Sequence, residues 1–216
     1  MRDQAEPARG PGHEELPDVQ AVPALVLVGA SAGGLSVLRR LLEGLPADLP
    51  AAVLAVVHLP RHPQQDLAVL VGTGCRMAVR DAGPREAIRA GQVLLAPPDR
   101  HLEVVGDTVV LTAAPLRNGV RPSVDVLFAS AAASFGPRVV AVVLSGAMRD
   151  GAAGAAEVER AGGLVLVQDP DDAVVTGMPR SALDATGRHS VATAASLAQV
   201  LAGLVDDVVT AAGRVR

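Results

Sequence analysis

Three polar residues follow apolar runs in this 216-residue sequence, and together their types suit nucleophilic acyl transfer: Ser31, His58 and Asp150. Ser31 lies in Gly29-Ala30-Ser31-Ala32-Gly33-Gly34, directly after the run "ALVLV" at 24–28. The segment Gly-Ala-Ser-Ala-Gly fits the G-x-S-x-G elbow, in which small neighbours let a strand turn sharply into a helix. The free N–H groups and positive end of that helix would stabilise an oxyanion formed on attack by the Ser31 hydroxyl. From the turn alone, a phosphate-cradling loop or a plain helix cap is an equally open reading. His58 ends the run at 53–57. It is either a hydrogen-bonded structural histidine or the base that takes the serine proton, which requires hydrogen-bond reach of the nucleophile. Asp150 follows the run at 139–144 by way of Ser145-Gly146-Ala147-Met148-Arg149. It is either a helix N-cap or the acid that orients the imidazole and stabilises its cation. Asp169, after the run at 164–167, is a rival acid, and Asp125, inside a predicted helix, a weaker one.

Other chemistries fit less well. A dinucleotide fingerprint requires glycine where Ser31 stands and an acid near the end of the second strand, where His58 stands. No G-K-[ST] follows the turn, which excludes a P-loop, and the absence of tyrosine removes a Y-x-x-x-K oxidoreductase site. The chain order Ser-His-Asp differs from the Ser-Asp/Glu-His order of α/β-hydrolases, so a triad here would make the elbow match convergent.

The positioning elements are legible as alternating apolar runs and helical patterns. Strands are expected at 24–28, 52–60, 91–98, 138–146 and 164–169. Gly106-Asp107 marks a hairpin between two short strands of 101–113. Helices are expected after Gly33, over 63–72, from a Ser123 cap, over 150–163, and in two segments beyond Met178 and Thr193. This pattern implies an α/β fold: a doubly wound, mostly parallel sheet with helices on both faces and a small antiparallel hairpin. In such sheets ligands bind outside the carboxyl ends of the strands, where Ser31, His58 and Asp150 stand.

Half of the residues are hydrophobic, yet Phe128 and Phe135 are the only aromatics, so the core is aliphatic. Nucleic-acid modules that stack bases on aromatic rings are disfavoured, and a net charge of −4 offers no basic footprint. Cys75 alone cannot form an intramolecular disulfide, in keeping with a reducing cytoplasm. No apolar run is long enough to span a membrane. Residues 1–20 are polar and rich in proline and glycine and read as a disordered leader, leaving 21–216 as one catalytic domain. His13, His62 and His189 read as surface or loop histidines, and no spacing suggests a metal cluster.

Over roughly 24–205 the chain resembles the catalytic domain of the chemotaxis protein-glutamate methylesterases of CheB type. The segments that carry the resemblance, in order, are "VLVGASAGGL", "VVHLP", "LAPPDRHLEV", "RPSVDVLF", "LSGAMRDGAAG" and "VVTGMPRSAL". The resemblance implies Ser31 as nucleophile, His58 as base and Asp150 as triad acid. It implies hydrolysis of glutamyl methyl esters, and deamidation of certain glutamines, on a methylated chemoreceptor-type protein through an acyl-enzyme, with no cofactor. Ala32, Gly33, Ala147 and Met148 are oxyanion candidates, and His101 and Met178 candidates to line the cleft. Ala147 and Met148 stand where the family has Met and Gly, Val57 where it has Gln, and Ala32 where Thr is common. The family's regulatory enzymes carry a receiver domain ahead of this one. Only about 20 polar residues precede the first strand here, so control by a separate regulatory protein is the expectation. A non-catalytic signalling or binding module of the same fold is the alternative.

Overall fold

The structure is a computed structural model in which residues 22–58 and 66–214 are described. The leader expected over 1–20, with His13, lies outside them, as do Leu59, Pro60 and His62 beyond the second strand. In chain order the elements are β1 (Ala24–Ala30), α1 (Gly34–Gly44), β2 (Ala51–Val57), α2 (Leu67–Gly72), β3 (Ala78–Asp81), β4 (Arg85–Ala87), β5 (Gln92–Leu95), β6 (His101–Val105), β7 (Thr108–Thr112), α3 (Val124–Phe135), β8 (Val139–Val143), α4 (Ala152–Arg160), β9 (Leu164–Gln168), α5 (Gly177–Ala185), β10 (Ser190–Ala192) and α6 (Leu197–Gly213).

Seven strands form one sheet in the order β10-β9-β8-β1-β2-β5-β3, and every neighbouring pair is parallel. The reason is visible in β1, whose seven residues are all buried. Leu25 and Leu27 join Leu127 and Phe128 of α3 on one face, while Val26 and Val28 join Leu38, Leu41 and Leu42 of α1 and Leu201 of α6 on the other. A strand apolar on both sides has to be covered on both sides, as parallel sheets are.

The doubly wound sheet agrees with the expectation, with two additions. The antiparallel hairpin β6–β7 gains β4 as a third strand on β7. The edge strands β3 and β10 also lie outside the sequence expectation: they are four and three residues long, and neither is fully buried. Short, half-exposed strands of mixed polarity carry no periodic signal.

The chain enters at the middle of the sheet. From β1 it moves outward through β2 on one side and later returns to β8 on the other. The crevice at the carboxyl ends of β1, β2 and β8 is therefore the topological switch point, where such sheets bind ligands.

Candidate active site

Backbone register brings the first two candidates side by side. Ala30 of β1 pairs with Val57 of β2, and Ser31 and His58 are the next residue of each strand. The His58 N–H donates to the Ala30 carbonyl at 3.0 Å, and the Ser31 N–H donates to the Ser145 carbonyl beyond β8, also at 3.0 Å. Ser31 is thus held between the ends of β2 and β8, half-buried at the mouth of the crevice.

The turn after Ser31 is shaped by its neighbours. Gly33 has φ 77°, a left-handed conformation that glycine adopts without steric cost, and α1 begins behind it with no side-chain cap. Ala32 and Gly33 are exposed, and the Gly34 N–H closes the turn on the Ser31 carbonyl at 2.9 Å. The fully buried Ser145 donates its hydroxyl to the Ala32 carbonyl at 2.9 Å and accepts from the Val175 N–H at 3.0 Å. Its own N–H is taken by Gln168 Oε1 at 2.8 Å. Ser145 therefore ties the Ser31 turn to the loop after β9, a role its position at the end of an apolar run does not reveal. Gly146 must be glycine for space: a Cβ there would overlap Met178 Sδ and lie 2.8 Å from Ser31 Cβ.

Asp150 is 3% exposed, and its Oδ2 lies 3.0 Å from Nε2 of His58, whose side chain is 16% exposed. Oδ2 also accepts from the Val124 N–H at 2.7 Å. Oδ1 accepts from the Ser123 hydroxyl at 2.8 Å, the Asp125 N–H at 3.2 Å and Asn118 Nδ2 at 3.3 Å. The carboxylate thus sits on the N-terminus of α3, where the helix dipole favours negative charge. Burial pushes its proton affinity up. The donations from His58, Val124 and Ser123, with the charge His58 can carry, outweigh that and hold Asp150 below the usual carboxylate range. An ionised Asp150 only accepts, so His58 Nε2 carries a proton and Nδ1 is the nitrogen left for another partner.

Asp169 is not in this group. It belongs to β9's exit, with β8 standing between β9 and β1, and its Oδ1 accepts from the Asp171 N–H at 2.9 Å in a local turn. Asp125 lies in the first turn of α3, close to Asp150, and has its own set of donors. Ala147 and Met148 are exposed in the loop before Asp150, and Met148 has φ 67°, left-handed backbone that costs a non-glycine residue about 1 kcal/mol or more. Met178 is fully buried against Gly146, to whose carbonyl its N–H donates at 2.9 Å. His101, 1% exposed, begins β6 with Nε2 3.1 Å from the Pro115 carbonyl. The sequence does not point to Asn118 and Ser123 as partners of Asp150; Ser123 is expected only as a cap, which it also is. Among the described residues no group of three or more His, Cys, Asp or Glu could hold a metal ion, and no helix is long and apolar enough to cross a membrane.

Comparison with known proteins identifies the family. Residues 26–201 match the family described as CheB methylesterase. The protein-glutamate methylesterase/protein-glutamine glutaminase 2 of Koribacter versatilis is 38% identical over 181 residues, which cover 82% of this chain and 50% of that protein. The protein-glutamate methylesterase/protein-glutamine glutaminase of Chromohalobacter salexigens is 41% identical over 163 residues, or 74% of this chain and 46% of that protein. The chain thus spans about half the length of the curated relatives it matches. The crystal structure of the Thermotoga maritima CheB methylesterase catalytic domain superposes with a TM-score of 0.78 at 31% identity, covering 84% of this chain and 98% of that one. With the fold matched, and the family pattern running across residues 26–201, the chain belongs to the CheB methylesterase family.

Proposed function

We propose that residues 21–216 act as a cytoplasmic catalytic domain that hydrolyses glutamyl methyl esters, and deamidates certain glutamines, on a methylated chemoreceptor-type protein. The observation that carries this reading is the placement of Ser31 and His58 after paired residues of β1 and β2, with His58 Nε2 directed at a buried Asp150. The relatives' names, protein-glutamate methylesterase and protein-glutamine glutaminase, support the ester and amide chemistry of this reading.

In this mechanism His58 Nδ1 accepts the Ser31 proton as Oγ attacks the ester carbonyl carbon. The resulting oxyanion is met by N–H groups of the Ala32–Gly33 turn and of the Ala147–Met148 loop. His58 then returns the proton to the departing methoxy oxygen. Methanol leaves, and the glutamyl group remains esterified to Ser31. Water, deprotonated by His58, attacks that ester, and Ser31 leaves as a hydroxyl with a free glutamate as product. From glutamine the leaving group is ammonia. Asp150 stays ionised throughout, orienting the imidazole and balancing the imidazolium. Met178 supports this site from beneath Gly146, and His101 serves the small sheet.

The test is labelling with a fluorophosphonate probe, together with methanol release from methyl-labelled receptor. Wild type should label at Ser31. Ser31→Ala should lose roughly 10⁴-fold or more in turnover, with an unchanged thermal melt. Wild-type turnover in folded Ser31→Ala overturns the reading. Receptor binding by a wild type that neither labels nor releases methanol favours the non-catalytic module instead.

A further inference from the structure

The helices α3 and α4 meet at their N-termini, and each start is closed by a carboxylate from the other. Asp150, just before α4, accepts the Val124 and Asp125 N–H groups that open α3. Asp125, in the first turn of α3, places Oδ1 on the N–H groups of Gly151 and Gly154 that open α4, at 2.9 and 2.8 Å. Its Oδ2 accepts from Asn118 Nδ2 at 2.8 Å, and the same amide reaches Asp150 Oδ1 at 3.3 Å. Two buried acids can be neighbours here because each lies at the positive end of a helix and an amide stands between them.

The consequence lies in how the oxygens of Asp150 are shared out. Three donors occupy Oδ1: Ser123, the Asp125 N–H and Asn118. Oδ2 has the Val124 N–H and His58. Rotating the carboxylate would break the Oδ1 set, so only Oδ2 is available to the imidazole. We propose that Asp125, acting through Asn118, is a positioning residue that holds Asp150 Oδ2 on His58 Nε2. This deepens the hydrolase reading and rests on it for its catalytic meaning. Burial pushes the Asp125 carboxyl up, and the Asp150 charge acts in the same direction against the Gly154, Asn118 and Gly151 donors, as expected of two acids sharing one amide.

Asp125→Asn separates positioning from capping. The amide oxygen can keep the Gly151 and Gly154 N–H groups, so both helices retain their starts. The new NH₂ faces Asn118, whose amide must turn, and its oxygen then opposes Asp150 Oδ1 where a donor stood. Two readouts follow on the intact chain: the proton NMR resonance of the His58 Nε2–H, and the rate of Ser31 labelling by a fluorophosphonate. In Asp125→Asn the resonance should shift or broaden away, and labelling should slow by about 10- to 100-fold, the scale of a small misplacement of a catalytic group. Asn118→Ala removes only the bridge and should slow labelling several-fold, and it decides the matter if Asp125→Asn does not fold. Combined, the two changes should cost much less than the product of the single effects, because they break one network. A folded Asp125→Asn with wild-type resonance and labelling overturns the proposal, as do single effects that simply multiply. The resonance needs no turnover, so a wild type that releases no methanol would sink the hydrolase reading while the resonance still decides this one.

Discussion

Asp150→Asn should impair this site differently from a substitution that also inverts the histidine tautomer. An asparagine has one acceptor oxygen and one NH₂, and the five contacts of Asp150 dictate which goes where. An NH₂ in the Oδ2 position would confront two donors, His58 Nε2–H and the Val124 N–H, the latter at 2.7 Å. In the Oδ1 position it would meet the Ser123 hydroxyl, which can turn and accept, and two longer contacts at 3.2 and 3.3 Å. The amide should therefore keep its oxygen on His58, preserving Nε2–H and leaving Nδ1 for Ser31. What is lost is the counter-charge to the imidazolium. Two unit charges about 4 Å apart at an effective dielectric near 20 interact by about 4 kcal/mol, which corresponds to about 10³ in rate. Turnover of Asp150→Asn should thus fall by about 10³, less than for Ser31→Ala, while the His58 Nε2–H resonance persists. The assay is methanol release from methyl-labelled receptor at neutral pH, with urea unfolding as control. The Asp125 N–H loses its acceptor, so a stability cost of about 1–3 kcal/mol is expected. A resonance that moves to the other ring nitrogen would refute the assignment of oxygens, and unchanged turnover would refute the role of Asp150.

Two further outcomes follow from the same contacts. The folded-state pKa of Asp150 is lowered, so its contribution to stability is present above the unfolded value of 3.8 and is lost as pH falls through the folded one. That of Asp125 is raised, so its contribution favours the fold below 3.8 and is lost as pH rises through the raised value. Urea melts across this acid range should show wild type losing ground to Asp125→Asn as pH rises, by about 1.4 kcal/mol for each tenfold gain in the proton affinity of Asp125 on folding; a pH-independent difference would contradict it. Gly146→Ala should cost about 1–3 kcal/mol by overpacking and slow Ser31 labelling at least tenfold, because its Cβ would displace Met178 and crowd Ser31 Cβ; wild-type stability and labelling would show that the turn has slack.

What is legible in the sequence follows from where residues stand in buried strands. Ser31 and His58 are conspicuous because "ALVLV" and "AVLAVV" are apolar on both faces, so a polar residue at their carboxyl ends has to be explained by the crevice. Asp150 and Asp169 are harder to tell apart: both follow such strands, and only the order of β1, β8 and β9 separates them. The supporting residues are hidden for a different reason. Asn118, Ser123 and Asp125 reach Asp150 across 25 to 32 positions of sequence, and their role exists only once α3 docks its N-terminus against that of α4. Asp125 ranks low as an acid when read from sequence because it lies within a helix. Its surroundings argue otherwise: Val124 is fully buried before it, and Leu127 and Phe128 are fully buried after it. An acid in so apolar a first turn must reach water or find donors, and at 6% exposure it has not reached water. The donors nearest to hand are the unpaired N–H groups at the start of another helix. "DGAAG", a turn of small residues that begins at Asp150, is the segment that lets such a start approach closely enough.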